Sequence, residues 1–148
     1  MFAFSGCESF RRDVKTSWND KFGEPVYRAR TFNADAVGGQ AAVYEAALAA
    51  ARSLGFNFVS GGPAQGRFEA RTRIVSDSSF SGVQQFVMRV RLSNDLLNGG
   101  TLTEVLILDV TQSDNARMAT SNERSLRDTP LYEAFFRGVE NALSRRAE

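Results

Sequence analysis

The sequence predicts an α+β domain: one mainly antiparallel sheet of four to six strands, with two helices packed on one face. In the middle of the chain, apolar and polar residues alternate over successive short runs, as in strands with one buried face. Two longer segments, one before these runs and one at the end, repeat apolar residues at helical spacing. The predicted order is β-α-β-β-β-β-α. Hairpins between successive strands make the sheet antiparallel, and one apolar face per strand leaves both helices on the same side.

The composition is that of a globular domain, and the sequence contains no recognisable catalytic motif. The 148 residues are 43% hydrophobic and 24% charged, with a net charge of +1, so no bulk charge draws the protein to nucleic acid or to an anionic membrane. There is no histidine and one cysteine, which excludes an intrachain disulfide and a cysteine-built zinc site. We therefore predict a binding or scaffolding protein, not an enzyme, and expect no cofactor or metal.

The chain divides into a leader, residues 1–24, and a single domain, residues 25–148. In the leader, Phe10, Val14 and Trp18 follow one another at i, i+4 and i+8, the spacing of one helical stripe. This spacing predicts a short amphipathic helix. The alternative is a partly ordered leader whose Trp18 docks on the domain.

The first strand and the first helix of the domain follow directly. Residues 26–32 are rich in β-branched and aromatic side chains, which favours a strand. Asn33 or Asp35 is expected to cap the helix, and Gly55 to end it in a left-handed conformation. The expected buried positions of this helix are Ala41, Val43, Ala47, Ala50 and Leu54.

The middle of the domain predicts consecutive strands, beginning with a short strand at residues 56–59 and a loop at residues 60–63. The next run places Phe68, Ala70, Thr72 and Ile74 on one face, and Arg67, Glu69, Arg71 and Arg73 on the other. The run after it places Phe86, Met88, Val90 and Leu92 on the apolar face, and Gln85, Arg89 and Arg91 opposite.

The end of the chain predicts a hairpin, two strands and a helix. Asn98-Gly99-Gly100 is a hairpin signal before a long strand at residues 101–111. Asp114-Asn115 suggests a turn, and residues 116–120 a short edge strand. Asp128 or Thr129 should cap the closing helix, with Pro130 in its first turn. Its expected buried stripe is Leu131, Phe135, Val139 and Leu143, widened by Phe136 and Ala142.

The segment Phe4-Ser5-Gly6-Cys7 resembles the lipobox of bacterial lipoproteins, in which an apolar residue and two small residues precede a cysteine. This resemblance implies cleavage before Cys7 and attachment of lipid to its thiol. The protein would then be anchored in the bacterial cell envelope, facing the periplasm. Six residues cannot hold both a basic start and an apolar signal region, so we expect a start upstream of Met1 or a shortened chain.

The body of the chain is similar to small envelope lipoproteins of uncharacterised families. The similarity lies in Leu54-Gly55-Phe56, in Gly66-Arg67-Phe68-Glu69-Ala70, and in Thr129-Pro130-Leu131-Tyr132 with Phe135-Phe136. It implies a fold, and no catalytic residue carries over from it.

A row of arginines forms the candidate binding face, consisting of Arg67, Arg71, Arg73, Arg89 and Arg91. Sheets that bind RNA add aromatic residues on which bases stack, whereas Phe68 and Phe86 belong to the opposite, apolar set. Glu69 and Glu104 also dilute the charge, so we predict a solvated face with cross-strand ion pairs.

These observations together predict a membrane-tethered envelope lipoprotein that acts as a non-catalytic binding or assembly module. Its expected partners are the membrane, through Cys7, and a protein of the envelope. One alternative is a cytosolic nucleic-acid-binding module that uses the arginine face, although we do not expect nucleic acid as a partner. The other is a carrier of a small apolar ligand, held between the closing helix and the sheet.

Overall fold

The computed structural model describes residues 26–77, 82–115 and 118–148, and within them the chain forms seven strands and two α-helices. Cys7 and the expected helix of the leader lie outside the described residues. In chain order the elements are β1 (Arg28–Phe32), α1 (Gly39–Ser53), β2 (Asn57–Gly62), β3 (Arg67–Arg71), β4 (Val75–Asp77), β5 (Gly82–Asn94), β6 (Thr101–Asn115), β7 (Met118–Ser125) and α2 (Pro130–Ala147).

The strands form one antiparallel sheet, with the order β1-β6-β5-β3-β2. On two strands, β5 and β6, one edge pairs with two shorter strands in succession. β3 and β4 pair with successive parts of the same edge of β5, and β1 and β7 pair with successive parts of the same edge of β6. When β3 and β4 are counted as one interrupted strand, the sheet has six strands, within the predicted four to six. Both helices pack on one face, so the predicted α+β fold is confirmed.

The interruption between β3 and β4 corrects the predicted continuous strand over residues 67–74. The Thr72 hydroxyl accepts a hydrogen bond from the Phe86 amide at 2.9 Å, a bond that a main-chain carbonyl accepts in a regular ladder. The alternation of faces therefore ends at Thr72. The sequence predicted that Ile74 belongs to the buried apolar set. This prediction is wrong, because Ile74 is 63% exposed. Arg73 likewise follows the end of β3.

The start of α1 differs from the prediction. Asn33 accepts a hydrogen bond from the Asp35 amide at 3.3 Å, but this bond precedes a short 3₁₀ turn, Asp35–Val37, and α1 begins only at Gly39. The expected buried position Ala41 is exposed, because the face that α1 turns to the core carries Ala42, Val43, Ala46 and Ala47. The predicted end is confirmed, because Gly55 has a φ of 91° and follows the last turn.

The hairpin formed by β6 and β7 is longer than predicted. β6 and β7 remain paired up to Asn115 and Met118, so the turn expected at Asp114-Asn115 is wrong. The expected edge strand over residues 116–120 is instead β7, Met118–Ser125. Regular ladder pairing decides this, because the backbone groups of Asp114 and Asn115 are opposite those of residues 119 and 118.

The core lies between the sheet and the two helices. Its largest fully buried side chains include Phe56 and Met88 together with Phe135 and Val139 of α2. Thr129 caps α2 as predicted, accepting a hydrogen bond from the Leu131 amide at 3.3 Å. α1 and α2 approach closely, since a Cβ on Gly138 would lie 2.9 Å from the Cβ of Ala50.

The gap between β1 and β7 on the edge of β6 is closed by Tyr132 of α2. Its hydroxyl accepts from the Ile107 amide at 3.0 Å and donates to the Leu126 carbonyl at 2.6 Å. The Leu126 amide donates to the Ile107 carbonyl at 2.8 Å. Burial raises the pKa of Tyr132. One side chain of the helix layer thus completes the hydrogen bonding of the sheet where its edge strand changes from β1 to β7.

Candidate binding face

The open face is the name used here for the side of the sheet opposite α1 and α2. Strand pairing brings together on it charged side chains that are far apart in sequence. Arg67 pairs with Arg91, Glu69 with Arg89, and Arg91 with Glu104 across β3, β5 and β6. Four of the five arginines predicted for the binding face, Arg67, Arg71, Arg89 and Arg91, therefore lie in neighbouring strands. The fifth, Arg73, is exposed beyond the end of β3.

Most of these charges are paired, and two of the pairs, Glu69–Arg89 and Arg91–Glu104, cross between strands as the sequence predicted, whereas Glu69–Arg71 lies within β3. Glu69 contacts Arg71 at 2.7 Å and Arg89 at 3.2 Å. Partial burial acts to raise the pKa of Glu69, but hydrogen bonds from both arginines, together with their charges, outweigh it and hold that pKa below its ordinary value.

A second pair lies beside the first. The Arg91 guanidinium contacts Glu104 at 3.0 Å, and this hydrogen bond raises the pKa of Arg91. The Arg91 guanidinium carbon also lies 3.8 Å from the centroid of the Tyr27 ring, within the range of a cation–π contact. We call the set Arg71, Glu69, Arg89, Arg91 and Glu104 the arginine–glutamate network.

Arg67 differs from its neighbours because it makes no ion pair within the described residues. It lines a groove with a volume of about 570 Å³ between β2 and the network. The other side chains around this groove include Tyr27, Ser60, Gln65, Glu69, Arg89 and Arg91. At the floor, Gly61 has a φ of 117°, and a Cβ there would lie 2.3 Å from the Arg67 carbonyl oxygen. The close approach of β2 and β3 therefore requires glycine at this position.

An apolar strip lies next to the network on the same face. It consists of Val87, Leu106 and Leu108, each at most 4% exposed, and Tyr27 and Val110 pack against it. The sequence reasoning assigned only polar residues to this side of β5 and missed the strip. The unbroken apolar run at residues 105–108 could have indicated the strip, because apolar and polar residues should alternate in a strand with one solvent-exposed face.

A second depression, of about 200 Å³, borders the strip. Its lining mixes charged, polar and aliphatic side chains: Arg71, Ile74, Val83, Gln85, Val87, Arg89, Val110, Gln112 and Glu123. Within residues 26–77, 82–115 and 118–148, no group of three or more carboxylates or cysteines is placed to hold a metal ion. In the same ranges, no helix combines the length and the apolar character that crossing a bilayer requires.

Comparisons with known proteins add little to this geometry. No family model matches the sequence, and a search of curated proteins finds no match. Among solved structures, the chain is similar to a DUF4468 family protein from Bacteroides ovatus, with 13% identity over 83% of this chain and 80% of that one. The TM-score is 0.35, and a likeness of this degree supports no functional argument.

Proposed function

We propose that this protein is a lipoprotein of the bacterial cell envelope, tethered to the membrane through Cys7. The observation that carries this proposal is Phe4-Ser5-Gly6-Cys7. Signal peptidase requires small residues beside the bond it cleaves, and the cysteine thiol accepts the diacylglyceryl group. Cys7 is the only cysteine of the chain, so no disulfide within the chain competes for this thiol.

The spacing between anchor and domain supports a tethered module. Residues 8–27 separate Cys7 from the first residue of β1. A fully extended segment of that length spans about 70 Å at most, at about 3.5 Å per residue. The domain can therefore reach partners well beyond the lipid headgroups.

We further propose that the module binds another protein of the envelope and performs no chemistry. The groove beside Arg67 supports this role, because it combines an aromatic ring, an amide and a guanidinium without an ion pair in the described structure. Tyrosine and arginine are enriched among the residues that contribute most to protein–protein binding. An acidic or amide side chain of a partner would satisfy Arg67 there. Arg71, Arg89 and Arg91 already have carboxylate partners.

The test is to express the protein in a bacterium, behind a complete signal region, and to fractionate the cells. We expect mass spectrometry to show cleavage before Cys7 and added acyl mass, because two or three acyl chains anchor a protein stably. Cys7→Ser should move the protein out of the membrane fraction. Ser17→Ala, an equally small change in the same segment, should leave it there. A wild-type protein without acyl mass, or a Cys7→Ser protein that stays with the membrane, would contradict the proposal.

A further inference from the structure

β2 forms one edge of the sheet and differs in charge from the other edge strands. It pairs with β3 on one side and with no described strand on the other. Exposed edges usually carry charged residues, prolines or bulges, which keep other chains from pairing with them. The other edge strands, β1, β4 and β7, each carry charge, for example at Arg30, Asp77 and Glu123. β2 contains neither a charged residue nor a proline, and a bulge at Val59 is the one such feature it has.

The edge of β2 is also accessible and partly apolar. Residues 57–61 are all exposed, and Phe58 and Val59 are 42% and 49% exposed. In an antiparallel pair, alternate residues of a strand direct their N–H and C=O groups away from the partner strand. β2 therefore presents main-chain donors and acceptors at the sheet edge. A strand added there would satisfy these groups and would border the ring of Phe58.

Gly62 leaves an open path from this edge to Arg67. Directly paired residues of neighbouring strands project on the same face, so Gly62 lies beside Arg67 on the open face. A Cβ on Gly62 would meet no atom within 4 Å. Arg67 is exposed and makes no ion pair within the described residues. Its guanidinium can therefore be reached from the sheet edge without displacing a β2 side chain.

We infer that β2 receives an extended segment of a partner protein as an additional edge strand, and that an acidic side chain of this segment pairs with Arg67. The inference rests on the proposed binding of an envelope protein at the groove, and it specifies the form and charge of the bound segment. Strands lie about 4.8 Å apart, so the added strand would lie about 10 Å from β3. The side chains of an arginine and a glutamate together span that distance.

The charges on the open face favour an acidic segment over a second copy of this chain. Arg67 and the arginine–glutamate network together contain four arginines against two glutamates, because Glu69 is shared by Arg71 and Arg89. β2 itself carries no carboxylate. A second copy paired through the same edge would therefore leave Arg67 without an acidic partner.

The experiment selects short linear peptides from a randomised display library on the full 148-residue protein. We expect the enriched peptides to combine β-branched or aromatic residues at alternate positions with an acidic residue. Arg67→Gln should weaken binding of a selected peptide about tenfold or more, because a charge-assisted hydrogen bond is lost. Arg137→Gln, the same change at an exposed arginine of α2, should alter binding by about twofold or less.

Two changes separate strand addition from side-chain contact alone. Methylation of one alternate set of main-chain amides in the peptide should abolish binding, whereas methylation of the other set should be tolerated, because only every second amide faces β2. Gly62→Val retains Arg67 but fills the path beside it, and should weaken binding about tenfold. Gly62 does not have a positive φ and valine is favoured in strands, so circular dichroism should show an unchanged fold.

Three results would overturn the inference. The first is a selection that enriches no peptide, or only peptides without an acidic residue. The second is equal binding of the two methylated peptides, which would keep a partner at Arg67 but exclude an added strand. The third is a dimer in sedimentation that Val59→Lys dissociates, which would assign the edge to a second copy. The protein used carries no acyl chain, so failure here and failure of lipid attachment at Cys7 are separate results.

Discussion

The two faces of the sheet are built from the same strands but organised by different forces. On the helix side, Met88 and Val90 of β5 pack against residues of α1 and α2, and shape complementarity keeps water out. On the open side, Arg89 and Arg91 of the same strand are paired with carboxylates and remain partly accessible. The first face holds the domain together through burial. The second is free to carry interactions, because its charges contribute little to folding.

The open face is itself divided. The arginine–glutamate network extends from β3 across β5 to Glu104 of β6, and water screens its ion pairs. The apolar strip borders the network on β5 and β6, and its residues are as buried as those of the core. This contrast indicates that a sheet face without a described helix is not uniformly a solvent face. The following predictions test how far the difference between the faces extends, beginning with the largest expected effect.

Replacing a core aromatic of α2 should cost most. Phe135 is 0% exposed, and Phe135→Ala should lower the free energy of unfolding by about 3–5 kcal/mol, the range for creating a cavity of this size. Phe58→Ala on β2 removes the same ring at a site that is 42% exposed, and should cost only about 1 kcal/mol, because the ring is only partly buried. Urea unfolding measures both. Similar losses for the two variants would show that the helix face does not dominate stability.

Removing the hydroxyl of Tyr132 tests the hydrogen bonds that join the helix layer to the edge of the sheet. Tyr132→Phe leaves the buried Ile107 amide without its acceptor, so the free energy of unfolding should fall by about 1–3 kcal/mol. The control is Tyr27→Phe, whose hydroxyl makes no hydrogen bond within the described residues. Denaturant unfolding of both proteins gives the comparison. An unchanged Tyr132→Phe protein would mean that water replaces the hydroxyl without cost.

Glu69 connects stability to pH on the open face. Its pKa is lower in the folded protein than in the unfolded chain, so its contribution is fully present above the ordinary glutamate pKa of about 4.3 and is lost as the pH falls through the lower folded pKa. Glu69→Gln should cost about 1 kcal/mol or less at pH 7 and should flatten the acid dependence. Glu140→Gln, an exposed control on α2, should retain the wild-type slope. Parallel acid profiles for wild type and Glu69→Gln would contradict the pairing.

The smallest effect is expected from the arginines themselves. The double variant Arg71→Ala/Arg89→Ala should melt close to wild type, because surface pairs contribute about 0–1 kcal/mol each. Titration with single-stranded RNA and duplex DNA should show only weak association that salt removes. Binding by phosphate contacts would instead lose about one unit of salt slope for each arginine removed. Micromolar binding at physiological salt, lost in the double variant, would favour the nucleic-acid-binding alternative.

Much of the architecture could be predicted because its causes are local. The alternation in β5, the Thr129 cap with Pro130, and the stripe around Phe135 each depend on residues a few positions apart. The boundaries that were wrong depend on distant partners. β3 ends at Arg71 because the Thr72 hydroxyl accepts a hydrogen bond from the amide of Phe86, fourteen residues later. No pattern in the neighbouring sequence predicts that bond.

The candidate face shows the same division. The sequence by itself determined that arginines line the side of the strands opposite the apolar set, since side chains alternate with a period of two. Only the tertiary structure decided which of them are neutralised, because strand register places Glu69 between Arg71 and Arg89 and Glu104 beside Arg91, and leaves Arg67 in the groove. The same holds for the strip. The sequence shows that Leu106 and Leu108 are apolar. Whether these side chains are buried depends on the residues that pack against them, and packing between segments far apart in the chain decides that.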